Sequence, residues 1–294
     1  MLFAMLLRMV RWICLVFAAL PCVAATPPTA RQVIEEIKAH VGVPWSDDTV
    51  DTFKAGDPDT PITGIATTMM ATFDVLRRAQ AEGKNLVITH EPTFYSHLDK
   101  TDVLEQENDP VWAEKLKFIR DHKMVVWRFH DHWHRRRPDG IMEGVLHALR
   151  WEKLYAPDGR IVKLPEPMTL EALAAQVQTR LGAKVLRVVG DRTLKVTVIA
   201  LQPGAAGTSS HRRALQRPEV EVLLIGEVPE WETIEYVADA AAQGRHKALL
   251  LVGHIPSEQP GMETCAEWLK TFIKDVPVGF VATVEPFWTP KNAH

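Results

Sequence analysis

The stretches LVITHEP (Leu86–Pro92) and ALLLVGHIP (Ala248–Pro256) follow one plan, in which a short apolar run leads directly into a histidine and a proline follows. A helical pattern and a glycine precede each run, so the matching segments extend over Arg78–Pro92 and Ala241–Pro256. Continuous apolar runs of this length are typical of strands that are covered on both faces. The repeated order of helix, glycine, strand and histidine therefore predicts an α/β protein with two related halves.

Outward from these segments, apolar strands and helical patterns alternate along the chain, which predicts the class α/β (α+β). We expect two similar, interlocked lobes with mixed sheets flanked by helices. The N-terminal lobe is predicted over residues 26–157 and the C-terminal lobe over residues 168–290. The polar, proline-rich segment Asp158–Pro167 is predicted to be a hinge between them.

Residues 1–25 are predicted to be a secretory signal peptide rather than part of the fold. Arg8 and Arg11 precede an apolar stretch, Trp12–Leu20, that is too short to span a bilayer as a helix. Small residues up to Ala25 provide a cleavage pattern. We therefore expect a periplasmic or secreted protein without a stable membrane anchor after cleavage; an uncleaved anchor is the alternative interpretation.

Composition excludes several classes of protein. The chain has 294 residues, of which 46% are hydrophobic and 24% are charged, as in ordinary globular proteins. Its 34 basic and 37 acidic residues give a net charge of −3. A chain without a basic excess lacks the field that grips nucleic acids independently of sequence, so we expect no nucleic-acid partner. A small-molecule substrate is the partner that we expect.

Histidines end three predicted strands, and this is the strongest chemical signal in the sequence. The segments are His90-Glu91, His130-Asp131-His132-Trp133-His134, and His254 with Glu258 four residues later. Loops at the carboxyl ends of strands are where α/β folds bind ligands. Imidazole and carboxylate together suit divalent transition metal ions, namely Zn²⁺, Mn²⁺, Fe²⁺ or Ni²⁺. Which of the three histidines in the middle segment is the ligand stays open.

Each segment also has a plainer interpretation. Glu91 could cap a turn, and Glu258 could neutralise free N–H groups at a helix start. The run His130–Arg137 could be a solvated loop. The hypothesis of a metal site is favoured because the three segments occupy equivalent strand ends.

With these motifs the chain resembles the Nif-three-like dinuclear metal-centre proteins, a family also called GTP cyclohydrolase I type 2. The resemblance spans about residues 31–285 and identifies the chain as a divergent, exported member. The motifs that carry it are Gly64-Ile65, His90-Glu91-Pro92, His130–His134, Gly226-Glu227 and Gly253–Glu258. Glu91 replaces a family histidine and His134 replaces a family aspartate, so three histidines and two carboxylates are retained.

The resemblance implies a site with two metal ions per chain in the cleft between the lobes. Glu258 would bridge the ions, His90 and His134 would hold one, and Glu91 and His254 would hold the other. Glu91 would alternatively serve as the catalytic general base. The resemblance also implies a homo-oligomer.

The function that follows is a metal-dependent hydrolase of unknown substrate. Arg135, Arg136 and Arg137 lie beside the predicted site and could contact an anionic substrate. A non-catalytic metal-binding or scaffold protein is the alternative. The cyclohydrolase name is a poor guide to the substrate, because an exported chain would not meet cytosolic GTP.

Overall fold

Two mixed β-sheets flanked by helices build the protein, as the sequence predicted. The computed structural model describes residues 26–290, and the predicted signal peptide lies outside them. Across those described residues, no helix combines the length and the apolar character needed to cross a membrane.

Eleven strands and ten α-helices alternate along the described part of the chain. The strands are β1 (Phe53–Ala55), β2 (Ile65–Thr68), β3 (Leu86–Thr89), β4 (Val125–Arg128), β5 (Tyr155–Ala156), β6 (Ile161–Thr169), β7 (Arg187–Val189), β8 (Lys195–Gln202), β9 (Val222–Ile225), β10 (Ala248–Leu251) and β11 (Val278–Phe280). The helices are α1 (Ala30–His40), α2 (Phe73–Ala81), α3 (Asp102–Gln106), α4 (Pro110–Asp121), α5 (Asp131–Arg135), α6 (Gly140–Leu149), α7 (Leu170–Leu181), α8 (Thr208–Leu215), α9 (Glu235–Ala242) and α10 (His254–Lys270).

The first sheet has the order β1-β4-β3-β2-β11, and only β1 runs antiparallel to its neighbour. The second sheet has the order β5-β6-β8-β9-β10-β7, with β8, β9 and β10 parallel. The two quoted apolar runs form β3 and β10, and every residue of both strands is buried. Their histidines therefore lie at the carboxyl ends of parallel strands.

Two glycines bring α6 and α10 into direct backbone contact. A Cβ on Gly144 would lie 2.3 Å from the carbonyl oxygen of Pro260. A Cβ on Gly261 would lie 2.5 Å from Cα of Ile141. Any larger residue would separate the helices, so these glycines fix the position of α10, whose first turn carries His254 and Glu258.

The predicted hinge at Asp158–Pro167 is wrong. Residues Asp158–Arg160 form one 3₁₀ turn, and Ile161–Thr169 form β6, which pairs with β5 and β8. Pro165 and Pro167 lie between Lys163 and Met168, where the β6–β8 register shifts. A strand tolerates proline where its ladder is interrupted, because no backbone N–H is needed there.

Strand pairing also crosses the predicted lobe boundaries. The strand β5 precedes residue 157 but belongs to the second sheet, and β11 lies near the C-terminus but pairs with β2 of the first. One hydrophobic core extends from Ala30 to Val276 and contains residues from both sheets. The division at 157 and 168 stays a prediction about folding units.

Candidate metal centre

His90 follows β3 and is completely buried. Its Nδ1 lies 3.1 Å from the carbonyl oxygen of Phe129, which can only accept, so Nδ1 carries the proton. Its Nε2 is therefore an unprotonated acceptor, and this buried atom has no hydrogen-bond partner within residues 26–290. Burial and the charges of His130 and His134 lower the pKa of His90 well below its ordinary value. The ring is neutral, which is the form that binds metal ions.

His130 and His134 come together because residues 131–135 form a helix. An extended segment would have placed alternate residues on one face, but the amide of His134 donates to the carbonyl of His130 at 3.0 Å. The two ring centroids are 4.8 Å apart, and they lie 4.6 Å and 5.0 Å from that of His90. The short helix, and not an extended conformation, therefore brings His130 and His134 together.

Each of these two rings is held by a carboxylate at Nδ1. Asp131 lies 2.9 Å from Nδ1 of His130, and Asp139 lies 3.2 Å from Nδ1 of His134. In both rings Nε2 remains available. An imidazole fixed at one nitrogen by an oxygen acceptor, with the other nitrogen facing a shared site, is the usual arrangement of a metal-binding histidine.

His132 points away from this group. Its Nδ1 lies 2.7 Å from Asp51, its Nε2 accepts from the amide of Ser46 at 3.0 Å, and its ring stacks on Trp45. Both ring nitrogens are occupied by protein partners. Of the three histidines that the sequence left open, the structure brings His130 and His134 to the site and excludes His132.

Asp51 organises the start of α5. Its carboxylate accepts hydrogen bonds from the amides of His130, Asp131 and His132 at 2.6–3.0 Å, besides its contact with the His132 ring. These are N–H groups that a helix start leaves without intrahelical partners. Asp51 thereby fixes the helix that carries two of the site histidines.

Three carboxylates surround His254 in the first turn of α10. Its Nε2 lies 3.0 Å from Oε2 of Glu258 and 3.4 Å from Oε1 of Glu91, and its Nδ1 lies 3.3 Å from Oε1 of Glu227. Oε2 of Glu258 also lies 3.7 Å from Nε2 of His90. Glu258 thus lies between His90 and His254, which are one member of each predicted ligand pair.

The electrostatics of this group favour a cation. Burial lowers the pKa of His254, but hydrogen bonds to Glu227, Glu258 and Glu91 outweigh it and raise that pKa to about 12. Burial raises the pKa of Glu91, but the hydrogen bond from His254 and nearby imidazole charges lower it below its ordinary range. Glu91 is therefore an ionised and only weakly basic carboxylate, which suits a ligand better than a general base at neutral pH.

Arg128 supports Glu91 from the protein interior. This buried residue of β4 donates from Nε to the carbonyl of His90 at 3.0 Å and from Nη1 to the carbonyl of His97 at 2.6 Å. Its Nη2 lies 3.3 Å from Oε2 of Glu91. One oxygen of Glu91 is thus held by Arg128, and the other faces the site.

The side chains form two groups with metal-ligand spacing. Donor atoms of His90, His130 and His134 lie within 4.8 Å of one another, as do donor atoms of His90, Glu91 and Glu258. The orphaned Nε2 of His90 and the excess of carboxylates fit a divalent cation. The five predicted residues converge, and His130 adds a sixth donor.

A cavity of about 870 Å³ opens onto these donors. Its wall includes Glu91, His130, His134, His254 and Glu258. The volume suits a small-molecule substrate.

The predicted arginine run does not line this cavity. Arg136 pairs with Glu143 and lies over Trp133, and Arg137 donates to the carbonyls of residues 134–136. In the described part of the chain, the non-histidine cations on the cavity wall are Lys115 and Arg160.

Fold and site together define an α/β protein with clustered histidine and carboxylate side chains at strand ends. Residues 32–286 match the model of the Duf34/NIF3 (NGG1p interacting factor 3) family, and the chain belongs to this family.

Relatives and solved structures agree with this assignment. A Clostridium acetobutylicum protein named GTP cyclohydrolase 1 type 2 homolog is 25% identical over 73% of this chain and 79% of its own. A Bacillus cereus protein related to NIF3 has a TM-score of 0.71 at 14% identity, covering 90% of this chain and 100% of its own. A Staphylococcus aureus hypothetical protein has a TM-score of 0.70 at 16% identity with the same coverage. The two structures show the shared fold.

Sequence reasoning missed the residues that support the ligands. Asp51 contacts His130, Arg128 contacts Glu91 and Asp139 contacts His134, and none of the three was singled out from the sequence. Asp139 alone had a local sequence signal. It directly precedes α6, and aspartate is a preferred N-cap residue, which is the position that Asp139 occupies.

Proposed function

We propose that the protein is a metal-dependent hydrolase with two divalent ions per chain. The ligands are His90, Glu91, His134, His254 and Glu258, with His130 as an additional donor, and the substrate is a small molecule. The observation that carries the proposal is the common anchoring of His90, His130 and His134. Each is held at Nδ1 by an oxygen acceptor, and each leaves Nε2 available.

The side chains of the proposed site fall into two chemical groups. His90, His130 and His134 form the imidazole side of the site, and Glu91, Glu227 and Glu258 the carboxylate side. Paired divalent ions would supply Lewis-acid activation of water and stabilise negative charge developing on the substrate. The protein's own contribution is to fix the donors and to hold Glu91 ionised through Arg128.

Metal content and hydrolysis test this proposal together. We expect about two equivalents of transition metal per purified chain by inductively coupled plasma mass spectrometry, and hydrolysis of generic esters or phosphoesters that a chelator abolishes. His90→Gln should lose both. His147→Gln is the matched control, because that ring is 83% exposed and lies outside the site. Metal without hydrolysis would favour a non-catalytic metal-binding protein, and absence of metal would favour a scaffold.

We further propose that the protein works outside the cytoplasm, as a periplasmic or secreted protein. The support is the charged, apolar and small-residue order of Arg8–Ala25. Mass spectrometry of the protein from an exported fraction should find the N-terminus at Thr26 or nearby. An intact N-terminus on cytosolic protein would reject the idea.

A further inference from the structure

Lys115 is a buried cation on the wall of the metal cavity. It belongs to α4, its exposed fraction is 4%, and its Nζ donates to the carbonyl of Thr93 at 2.6 Å. Among the ion pairs of residues 26–290, none involves Lys115, whereas the neighbouring Lys54 and Arg128 each have a carboxylate. A buried ammonium without a counterion is costly, so its place beside a cavity calls for an explanation.

The nearest acidic group is already committed to other partners. Asp99 accepts from the amides of Thr93 and Phe94 at 2.6 Å and 2.7 Å, and its second oxygen lies 3.5 Å from Nζ of Lys54. Asp99 therefore closes the loop after β3 and pairs with Lys54. Among the described residues Asp99 makes no ion pair with Lys115, and its charge acts on that ammonium only from a longer distance.

A second buried polar group lies beside Lys115 without a partner. In the part of the chain that the structure describes, the hydroxyl of Thr93 has no hydrogen-bond partner, and Thr93 is 1% exposed on the same cavity wall. The rings of Phe94 and Tyr95 flank the ammonium at 5.6 Å and 5.3 Å from Nζ. An unused hydroxyl donor next to an unpaired cation is the donor set that an oxyanion requires.

We propose that Lys115 and Thr93 form an oxyanion subsite that binds a phosphate or carboxylate group of the substrate, away from the group that reacts at the metal centre. The inference rests on the proposed hydrolase function for its reacting centre, but not for the subsite itself. It reassigns anion recognition from the run Arg135–Arg137, which does not line the cavity, to α4 and the loop after β3.

Sulfate titration tests the subsite directly, because sulfate stays fully ionised across the working pH range. Calorimetry is run on the protein both metal-loaded and after chelator treatment. Lys115→Met should weaken sulfate binding at least about tenfold, since a charge-assisted hydrogen bond contributes about 1.5–3 kcal/mol. Lys117→Met is the matched control on the same helix. Its side chain is 67% exposed and pairs with Asp121, so binding should be unchanged.

The wild-type protein gives a second measurement that does not depend on the variant folding. Burial lowers the pKa of Lys115 to about 8, against the opposing effect of Asp99. Burial raises the pKa of Tyr95, the other titratable group at the ammonium, so that phenol stays neutral. Sulfate affinity should therefore fall about tenfold from about pH 7 to about pH 9 as the amine loses its proton. In Lys115→Met this loss should be absent.

Acetate replaces sulfate to distinguish a carboxylate from a tetrahedral oxyanion as the preferred ligand. Binding of sulfate or acetate that depends on Lys115 supports the subsite. The ion that binds more tightly indicates whether the preferred group is a tetrahedral oxyanion or a carboxylate. Equal affinity in Lys115→Met and wild type, or binding of neither ion by wild type, would overturn it. Sulfate binding is also measured on the chelator-treated protein. If the protein proves to bind no metal, Lys115-dependent sulfate binding would therefore still support the subsite.

Discussion

Glu91 has a close contact at each of its oxygens, with the Arg128 guanidinium at 3.3 Å and with the His254 ring at 3.4 Å. We predict that Glu91→Gln, which keeps the shape but removes the charge, lowers metal content from about two per chain toward one and abolishes hydrolysis. Elemental analysis with an activity assay measures both. Glu267→Gln, an exposed position on α10, is the control and should retain both. Unchanged metal and activity in Glu91→Gln would show that this departure from the family motif is silent.

Gly204 makes room for Glu258. A Cβ at Gly204 would lie 2.2 Å from Oε1 of Glu258, and the residue has φ +69°. We predict that Gly204→Ala displaces the carboxylate and reduces metal content, measured by elemental analysis.

The same loop supplies the control for that substitution. Gly207 also has a positive φ, +84°, but a Cβ there meets no described atom within 4 Å. Gly207→Ala should therefore cost only the backbone strain, about 1–3 kcal/mol, and keep its metal. Equal metal content in the two alanine variants would contradict the role of Gly204.

The ligands and their supports differ in how far the sequence could predict them. His90 and His254 were predictable because each directly follows a short apolar run, and strand ends converge in α/β folds. Glu258 was predictable from its spacing to His254. Asp51 contacts the His132 ring across 81 positions, and nothing near Asp51 in the sequence marks that contact.

At the scale of single elements, α5 shows why local sequence was not enough. Its five residues, DHWHR, are too few for a stable isolated helix and include poor helix formers. The helix forms where Asp51 receives its first amides. A distant carboxylate thus decides the local conformation, and with it the choice of His130 and His134 over His132.

We predict that Asp51→Asn destabilises the protein by about 1–3 kcal/mol, because an amide presents donors to N–H groups that need an acceptor. Urea unfolding measures the loss, and metal content should fall with it as α5 loosens. Asp47→Asn, at an exposed position of the same segment, should change neither. An Asp51→Asn protein with unchanged stability and full metal content would show that Asp51 is not needed to hold α5 and its histidines in place.

A buried histidine in α8, outside the candidate metal centre, makes the free energy of unfolding depend on pH. Its residue His211 is fully buried, its Nδ1 bonds the Thr233 hydroxyl at 2.8 Å, and burial lowers its pKa to about 4. The unfolded imidazole protonates near pH 6.5, so the unfolded state binds the proton more readily. Stability from this group is complete above about pH 6.5 and is lost as pH falls toward 4.

We predict that this loss amounts to about 3 kcal/mol. The free energy of unfolding, measured by urea titration across that pH range, should decline less steeply in His211→Gln than in wild type. His40→Gln, at an exposed position, is the control and should keep the wild-type slope. Parallel slopes in wild type and His211→Gln would show that His211 titrates normally.

For the whole molecule, both sheets were predictable from apolar runs, but the partner of the last strand was not. The strand β11 has three half-buried residues and pairs with β2, more than 200 positions earlier. Long-range pairing of this kind leaves no periodic signal near either strand. The sequence therefore predicted two sheets, as observed, but it did not predict which strands belong to which sheet.

We predict that residues 26–157 do not fold alone. The fragment lacks β11 and the part of the hydrophobic core that α10 and the second sheet supply. Circular dichroism with urea should show no cooperative transition, whereas residues 26–290 should unfold in one transition by tryptophan fluorescence and circular dichroism alike. A cooperative transition in the fragment would establish the N-terminal lobe as an independent folding unit.

The return of β11 to the first sheet also bears on the life of the nascent chain. At roughly 5–20 residues per second, a ribosome completes β11 roughly 10–40 s after β2, so the first sheet stays short of one strand for most of synthesis. A chain that cannot complete its hydrophobic core before it leaves the ribosome can still pass through a narrow channel. For the exported protein that we propose, that delay would keep the polypeptide in the unfolded form that a translocation channel accepts.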